Sequence, residues 1–422
     1  MKIHVQRIAF LSALEAVKHV VPSKAHIAAL EHVKVTADTA DGGLSITGTD
    51  LDAYVRADVL GAHWPKGGTV LLPFADALAF LKASEAERLE LEVTRWPTEP
   101  RAPMLDSAGA IVAPAIEEQC GRVKMSTDDG EAIELDTLPA EEWPTVPWTG
   151  EHNLAFTLGA ASFRDALERV LPSAAIDVGR YAMRGALLEF NGSTDALDVV
   201  ATDGRRCAIA PVDVARWIRN RDVPARSILP LDSAKLALKI LPKKGEAYAT
   251  LELDPTCALI VLSVGSSDAE AGTSGLGRVT MSARALDGEF PRYRAIVPAE
   301  RAAVSVTACA DELIKRIKVA AVGASDDAPA ILLDVGEGDA VKIVGRSGAR
   351  VSSADVKGAK VERVRKVELI ACNPAFLADG IKACKADTVT IGWSSASAPF
   401  TVTAGRFVYV LMPVVIEKKG GK

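Results

Sequence analysis

The chain has 422 residues, an apolar share of 49%, a charged share of 25% and a formal net charge of −6. Those values fit two to four folded domains with real cores, and the acidic sum excludes a protein that coats nucleic acid with its whole surface, while leaving room for one basic face. No apolar run is as long as a membrane span, and Met1-Lys-Ile-His-Val-Gln-Arg7 lacks the apolar core of a signal peptide, so a cytoplasmic protein without membrane contact is expected.

The first predicted element is an amphipathic helix over 6–21, with Phe10, Leu14 and Val17 at helical spacing ahead of Pro22. Strand-like runs follow at 31–37 and 44–48, then a Thr49-Asp50 turn. Val70–Pro73 reads as a strand leading into a second helix over 74–83, with strand-like Leu89–Val93 after it. Residues 96–118 are rich in Pro and small residues and show no clean period, which reads as an inserted loop. Leu135 to Pro147 closes this stretch.

The same order of elements then restarts. Thr157–Leu171 matches the first helix, and Phe163 stands 153 residues after Phe10. Thr202-Asp203-Gly204 lies between two apolar, β-prone runs and predicts a tight turn, because Asp and Gly tolerate turn geometry that β-branched residues do not. It lies 153 residues after Thr49-Asp50. Residues 231–241 match the second helix, strands are expected at 249–253 and 258–264, and Phe290-Pro291 matches Trp143-Pro144. A third pass places a first helix at 306–319, a fainter turn unit at 341–351, a strand and second helix within 367–384, and a final strand over 406–416. Three repeats result, at 1–150, 151–300 and 301–422. Helices separated by β-rich stretches make the fold class α+β.

Chemistry-bearing motifs are sparse. Cysteines at 120, 207, 257, 309, 372 and 384 form no Cys-x-x-Cys pair and are expected to be reduced and mostly buried. Six scattered histidines form no ligand cluster, so no metal or cofactor is expected. Asp50 and Asp203 could be metal-binding carboxylates of a phosphoryl-transfer enzyme. No third carboxylate shares their spacing, and no phosphate loop or nucleophile elbow accompanies them, so they read more simply as turn residues.

Several sequence words, in order, carry a family resemblance. Ile46-Thr-Gly-Thr-Asp-Leu51, Thr137-Leu-Pro-Ala-Glu-Glu-Trp-Pro144, Thr202-Asp-Gly-Arg-Arg206, Gly288-Glu-Phe-Pro-Arg-Tyr-Arg294 and Tyr409-Val-Leu-Met-Pro413 resemble the bacterial sliding clamp, the beta subunit of DNA polymerase III. The likeness runs from Met1 to Ile416, interrupted at 96–118 and by extra residues near 216–224 and 265–275. It implies a DNA clamp fold of three similar domains, each with two helices packed on antiparallel sheets. It further implies a head-to-tail homodimer closing into a ring around double-stranded DNA, without catalytic residues of its own.

Two sites follow from the resemblance. Residues facing DNA phosphates would be Lys24, Arg164, Arg169, Arg180, Tyr181, Lys235, Lys239, Lys315, Arg316, Lys318, Lys382 and Lys385, giving sequence-independent, salt-sensitive binding. A hydrophobic pocket for short peptide motifs of the replicative polymerase, the clamp loader, and repair polymerases or ligase would comprise Met183, Thr202, Gly204, Arg205, Arg206, Cys207, Pro291, Ile296, Val410, Met412, Pro413 and Val414. The sequence departs from the family pattern at Arg205 (usually His), Cys207 (usually Leu) and Ala295 (often Arg). A diverged paralogue serving a specialised polymerase or a mobile element is the alternative.

Overall fold

A computed structural model describes residues 1–38, 43–97, 104–105, 111–113, 120–145, 154–191, 195–219, 226–254, 259–265, 275–327, 329–365 and 369–414. The chain divides into two compact units. Unit 1 is Met1–Ala161 with Ala215–Asn220 and Lys235–Arg284. Unit 2 is Ser162–Val214 with Arg221–Ala234 and Ala285–Lys422. Residues of the second predicted repeat occur in both.

In unit 1, helix α1 (Arg7–Val17) follows strand Lys2–Gln6 and buries Ala9, Phe10, Ala13, Leu14 and Val17. That i, i+3, i+4 spacing is the apolar stripe read from the sequence. Helix α2 (Phe74–Ala83) buries Ala77, Leu78 and Leu81 and packs on α1. Strands Lys2–Gln6, Arg88–Arg95, Gly121–Thr127 and Ala132–Thr137 form one antiparallel sheet in that order. In a further ladder, His32–Ala37 lies between Gly68–Pro73 and Leu44–Thr49. Leu44–Thr49 pairs with Ala53–Val59, and the other edge of Ala53–Val59 pairs with Leu276–Arg284. From there the ladder runs through Leu259–Val264 and Tyr248–Leu253 to Leu154–Gly159.

Unit 2 repeats the pattern. Gly185–Asn191 lies between Arg226–Pro230 and Ala196–Thr202. Ala196–Thr202 pairs with the strand Arg206–Arg219, whose residues Arg206–Ile209 pair in turn with Phe407–Leu411. Phe400–Ala404, Thr388–Trp393 and Val304–Cys309 continue that ladder. A separate sheet takes the order Arg350–Asp355, Val341–Ser347, Ile331–Val335, Ile370–Cys372. Helix α3 (Ala160–Val170) and helix α4 (Leu231–Ile240) each carry residues of both units. Helices α5 (Ala310–Ala321) and α6 (Pro374–Ala383) pack together in unit 2. The α+β class read from the sequence is the one observed.

One joint is thus made twice. The strand after the Thr-Asp turn pairs with the last strand of the following repeat: Ala53–Val59 with Leu276–Arg284, and Arg206–Ile209 with Phe407–Leu411. The corresponding strands left over are Arg350–Asp355 and Ala132–Thr137. Each is the end strand of its sheet among the described residues.

Several boundaries differ from expectation, beginning with the first helix, expected over 6–21 and observed over Arg7–Val17. Residues 157–159 and 306–309, read as helix, complete the strands Leu154–Gly159 and Val304–Cys309, because Val304, Val306 and Ala308 alternate inward at strand period. The final strand ends at Leu411 rather than 416, and 415–422 lie outside the described residues. Within 96–118, the described part is Trp96, Pro97 and the short pair Met104–Leu105 with Ile111–Ala113.

Close approach of helix to strand explains one glycine. A Cβ at Gly345, in strand Val341–Ser347, would lie 1.9 Å from the carbonyl oxygen of Ala320 in α5. Backbone cannot yield there as a flexible side chain can. Gly345→Ala is expected to lower stability by about 2 kcal/mol or more, in the overpacking range, read as a lower urea midpoint.

Candidate functional site

The two Thr-Asp turns share one hydrogen-bond pattern. In unit 2, Thr202 Oγ1 donates to the Arg206 carbonyl at 2.7 Å and accepts from Gly204 N at 3.1 Å. Asp203 Oδ1 accepts from Arg205 N at 2.9 Å and Arg206 N at 3.0 Å. In unit 1, Thr49 and Asp50 make the same four contacts, to Ala53, Leu51, Asp52 and Ala53. Gly204 has φ +82° and its counterpart Leu51 φ +81°, the left-handed region that glycine enters without strain. These side chains mimic backbone partners, which is why Thr and Asp stand there. The carboxylates are spent on their own turns, and this replaces the metal-ligand reading of Asp50 and Asp203. Burial raises the Asp50 carboxyl above its ordinary value, against the two backbone donors that lower it.

The turn in unit 2 sets two adjacent arginines differently. Arg206 is largely buried. Its Nε lies 3.0 Å from Asp203 Oδ2, its Nη1 lies 2.8 Å from Asp379 Oδ2, and its guanidinium sits 4.4 Å from the centre of the Phe376 ring. Burial works against its charge, but Tyr409, Asp379 and Asp203 outweigh that and hold it above its ordinary value. Tyr409, pushed up to about 12 chiefly by burial, donates to the Phe376 carbonyl at 3.0 Å. Arg205 is exposed. Its carbonyl accepts from Met412 N at 2.9 Å, which ties the turn to the chain leaving strand Phe407–Leu411.

Beside this turn lies one apolar cluster: Leu187, Val200, Cys207, Ile228, Phe290, Tyr293 and Val410, with Ile296 packed against it. Cys207 and Val410 are direct cross-strand partners. Burial pushes the Cys207 thiol up to about 12. The loop carrying Pro291 is anchored beneath: Tyr293 donates to Glu189 at 2.5 Å, and Arg294 reaches Glu189 at 2.9 Å and Asp198 at 2.7 Å. Burial, and then the bond to Glu189, raises the Tyr293 hydroxyl above its ordinary value.

Among the predicted pocket residues, Thr202, Cys207 and Val410 are fully covered. They form a floor rather than a contact surface. Met183, Arg206, Ile296, Pro413 and Val414 are half-buried, and Gly204, Arg205, Pro291 and Met412 are exposed around them. Val414 N donates to the Ala371 carbonyl at 2.8 Å. Sequence reasoning missed Asp379 and Phe376. The signal was a lone carboxylate in the Pro374–Ala383 helix, whose other charged residue is Lys382, but nothing local said which arginine it would meet. Of the described cysteines, Cys207, Cys372 and Cys384 are buried, in line with the expectation of mostly buried thiols, while Cys120 and Cys309 are exposed; Cys257 lies outside the described residues.

The predicted phosphate-facing residues divide into two kinds. Lys24, Tyr181, Lys235, Lys239, Lys315, Lys318 and Lys382 are exposed. In unit 1, Lys239 Nζ stands 3.2 Å from His19 Nδ1. The side chain of Arg180 lies outside the described ones. The others are engaged with carboxylates. Arg164 pairs with Glu168 at 3.0 Å, Arg169 with Asp165 at 2.6 Å, and Arg316 with Glu312 at 2.8 Å. Lys385 reaches both Asp165 at 2.8 Å and Glu168 at 2.6 Å. Arg169 also lies 5.5 Å over the Phe407 ring. Counting basic residues on helices could not show this, because it left out the acids one turn away on α3 and α5. A polar hollow of about 500 Å³ in unit 1, lined by His4, His63, Arg88, Glu90 and Asp128, holds no predicted site residue. Its acids are already engaged, Glu90 by Lys2 and His4, and Asp128 by Arg88 N.

Comparison with known proteins bears on this geometry. Residues 1–98 match the family model described as DNA polymerase III beta subunit, N-terminal domain. The beta sliding clamp of Streptomyces coelicolor is 24% identical over 432 residues, covering 98% of this chain and 99% of that protein. That of Rickettsia bellii is 28% identical over 295 residues, covering 67% of this chain and 72% of the relative. The crystal structure of a sliding clamp, DNA polymerase III subunit beta, from Pseudomonas aeruginosa bound to griselimycin superposes with a TM-score of 0.76 at 21% identity, covering 99% of this chain and 100% of that one. The fold is the DNA clamp fold.

Two outcomes follow from the ion pairs. Arg206→Met leaves Asp203 and Asp379 without their cation and is expected to cost about 1–3 kcal/mol in urea unfolding, reduced from the fully buried case by the exposure of Asp379. The Lys385 contact holds the Glu168 carboxyl below its ordinary 4.5. A depressed carboxyl contributes stability that is complete above the ordinary value and lost as pH falls through the folded one. Wild type should therefore lose more stability than Lys385→Met between about pH 5 and pH 3, by a fraction of a kcal/mol at these partly exposed groups.

Proposed function

We propose, for a chain that is a diverged relative of the DNA polymerase III beta subunits, the work of a sliding clamp: a ring that encircles duplex DNA and tethers the replicative polymerase. The three repeats, 1–150, 151–300 and 301–422, are its domains. The observation that carries the ring is the joint made twice and left open once. Strands Ala132–Thr137 and Arg350–Asp355 each pair on one side only among the described residues. An unpaired strand edge is a template for another chain. A second copy, placed head to tail, offers the missing partner to each edge and closes the ring. Val351 and, at the end of α5, Val322 are exposed near that edge, where Ser352 Oγ donates to Val319 O at 2.6 Å, and apolar burial there favours the dimer.

Topological linkage removes the need for tight binding. Exposed Lys24, Lys235, Lys239, Lys315, Lys318 and Lys382 suit a weakly basic surface that meets phosphates without reading bases. The rim around Cys207 and Val410 suits a short apolar peptide. The clamp loader, repair polymerases and ligase would share it, in the cytoplasm. No group of the turn carboxylates is poised for chemistry, which favours a processivity factor over a phosphoryl-transfer enzyme. A paralogue serving a specialised polymerase is the second reading, favoured by Arg205 and Cys207 at the rim and floor.

Light scattering should give twice the 44.4 kDa chain mass across a dilution series. Val351→Asp should shift it to the monomer. Once loaded, the protein should co-elute with closed circular DNA and be lost when the circle is cut. A wild-type monomer at micromolar concentration, with no retention on circles, would sink the ring.

A further inference from the structure

Two lysines and a histidine stand together in unit 1. Lys18 is the C-cap residue of α1, His19 follows it, and Lys239 lies in the last turn of α4. All three are exposed. Lys239 Nζ stands 3.2 Å from His19 Nδ1. An ammonium can only donate, so Nδ1 accepts and the neutral ring carries its proton on Nε2. Burial first, then Lys239 and Lys18, holds the imidazole below its ordinary value of 6.5. The one acid of α1, Glu15, is taken by Lys82 at 3.0 Å. Among the described residues no carboxylate is in ion-pair contact with Lys18 or Lys239. The negative ends of two helices explain why lysines are tolerated there. They do not explain a neutral imidazole set against a cation. Three N–H donors with no acid among them suit an anion.

We infer that Lys18, His19 and Lys239 seat one DNA backbone phosphate, and that His19 couples this hold to protonation. The inference rests on the clamp reading above and deepens it, since lysines alone supply no dependence on pH near neutrality. A phosphate beside the ring draws the Lys239 ammonium toward its own oxygens. Nδ1 is then free to take a proton from solvent, and the resulting imidazolium donates to the phosphate. The sign follows from the two states. Two cations disfavour the charged ring in the free protein, whereas an anion favours it in the complex. Affinity therefore rises as pH falls through the histidine range and is flat well above it. Salt weakens the contact at every pH, because the phosphate term is electrostatic.

The test uses the full-length protein and a short fluorescent DNA duplex at low salt. Between about pH 8 and about pH 5.5, binding by wild type is expected to tighten about three- to tenfold more than binding by His19→Gln. Calorimetric titration in two buffers of different ionisation enthalpy should show wild type taking up a fraction of a proton per site near neutrality, and His19→Gln taking up less. His19→Arg, a fixed cation, should bind at the high pH as wild type does at the low one. Unchanged melting temperatures would show both variants folded, as the exposure of His19 predicts. Equal pH slopes for wild type and His19→Gln would overturn the inference and leave the clamp reading standing, since another group, such as His26, would then carry the linkage. So would His19→Arg binding no tighter than wild type at the high pH. No binding of duplex by wild type at any pH would overturn both.

Discussion

An antiparallel strand with one open side carries a row of unmatched N–H and C=O groups, and that constraint organises this protein. Each repeat ends one sheet on the strand after a tight turn and another on its own last strand. Within unit 1 the edge of Ala53–Val59 is closed by Leu276–Arg284, and within unit 2 the edge of Arg206–Ile209 is closed by Phe407–Leu411. Satisfying backbone groups this way needs no particular side chain, so the joint tolerates low sequence identity. That is the physical reason a chain 24% identical to a curated clamp can keep its fold.

The turn before each joint is under tighter chemical control. Thr and Asp supply the hydrogen bonds that bring the chain back on itself, and the left-handed residue completes the reversal. Unit 1 fills that place with Leu51 and unit 2 with Gly204, at the same φ to within a degree. Only in unit 2 does the turn also deliver an arginine into buried contact with Asp379 and Phe376. The unit 1 turn has Ala53 at that position. A shared local motif thus carries a buried ion-pair network in one repeat and only its own turn bonds in another.

Charge follows a similar division. Lys24, Lys235, Lys239, Lys315, Lys318 and Lys382 are exposed, while Arg164, Arg169 and Arg316 are paired with acids one turn away on their own helices. A formal net charge of −6 is compatible with a local basic face, because the distribution of charge matters more than its sum.

Much of this was legible in the residues. Periodicity located the helices, since Phe10, Leu14 and Val17 sit on one stripe, and Thr-Asp pairs spaced 153 apart marked the turns, because both signals are local. The ordered words extended the reading to a family. Boundaries such as 157–159 and 306–309 were misread because short apolar runs suit either period, and the sheet decided. Tertiary structure alone decided which of the expected pocket residues are covered and which are exposed, and which cations are already paired. Those outcomes depend on contacts such as Arg206 with Asp379, 173 residues apart, and Lys385 with Asp165, 220 apart. No periodicity encodes such a meeting. It arises only when the strands have paired and the helices have packed.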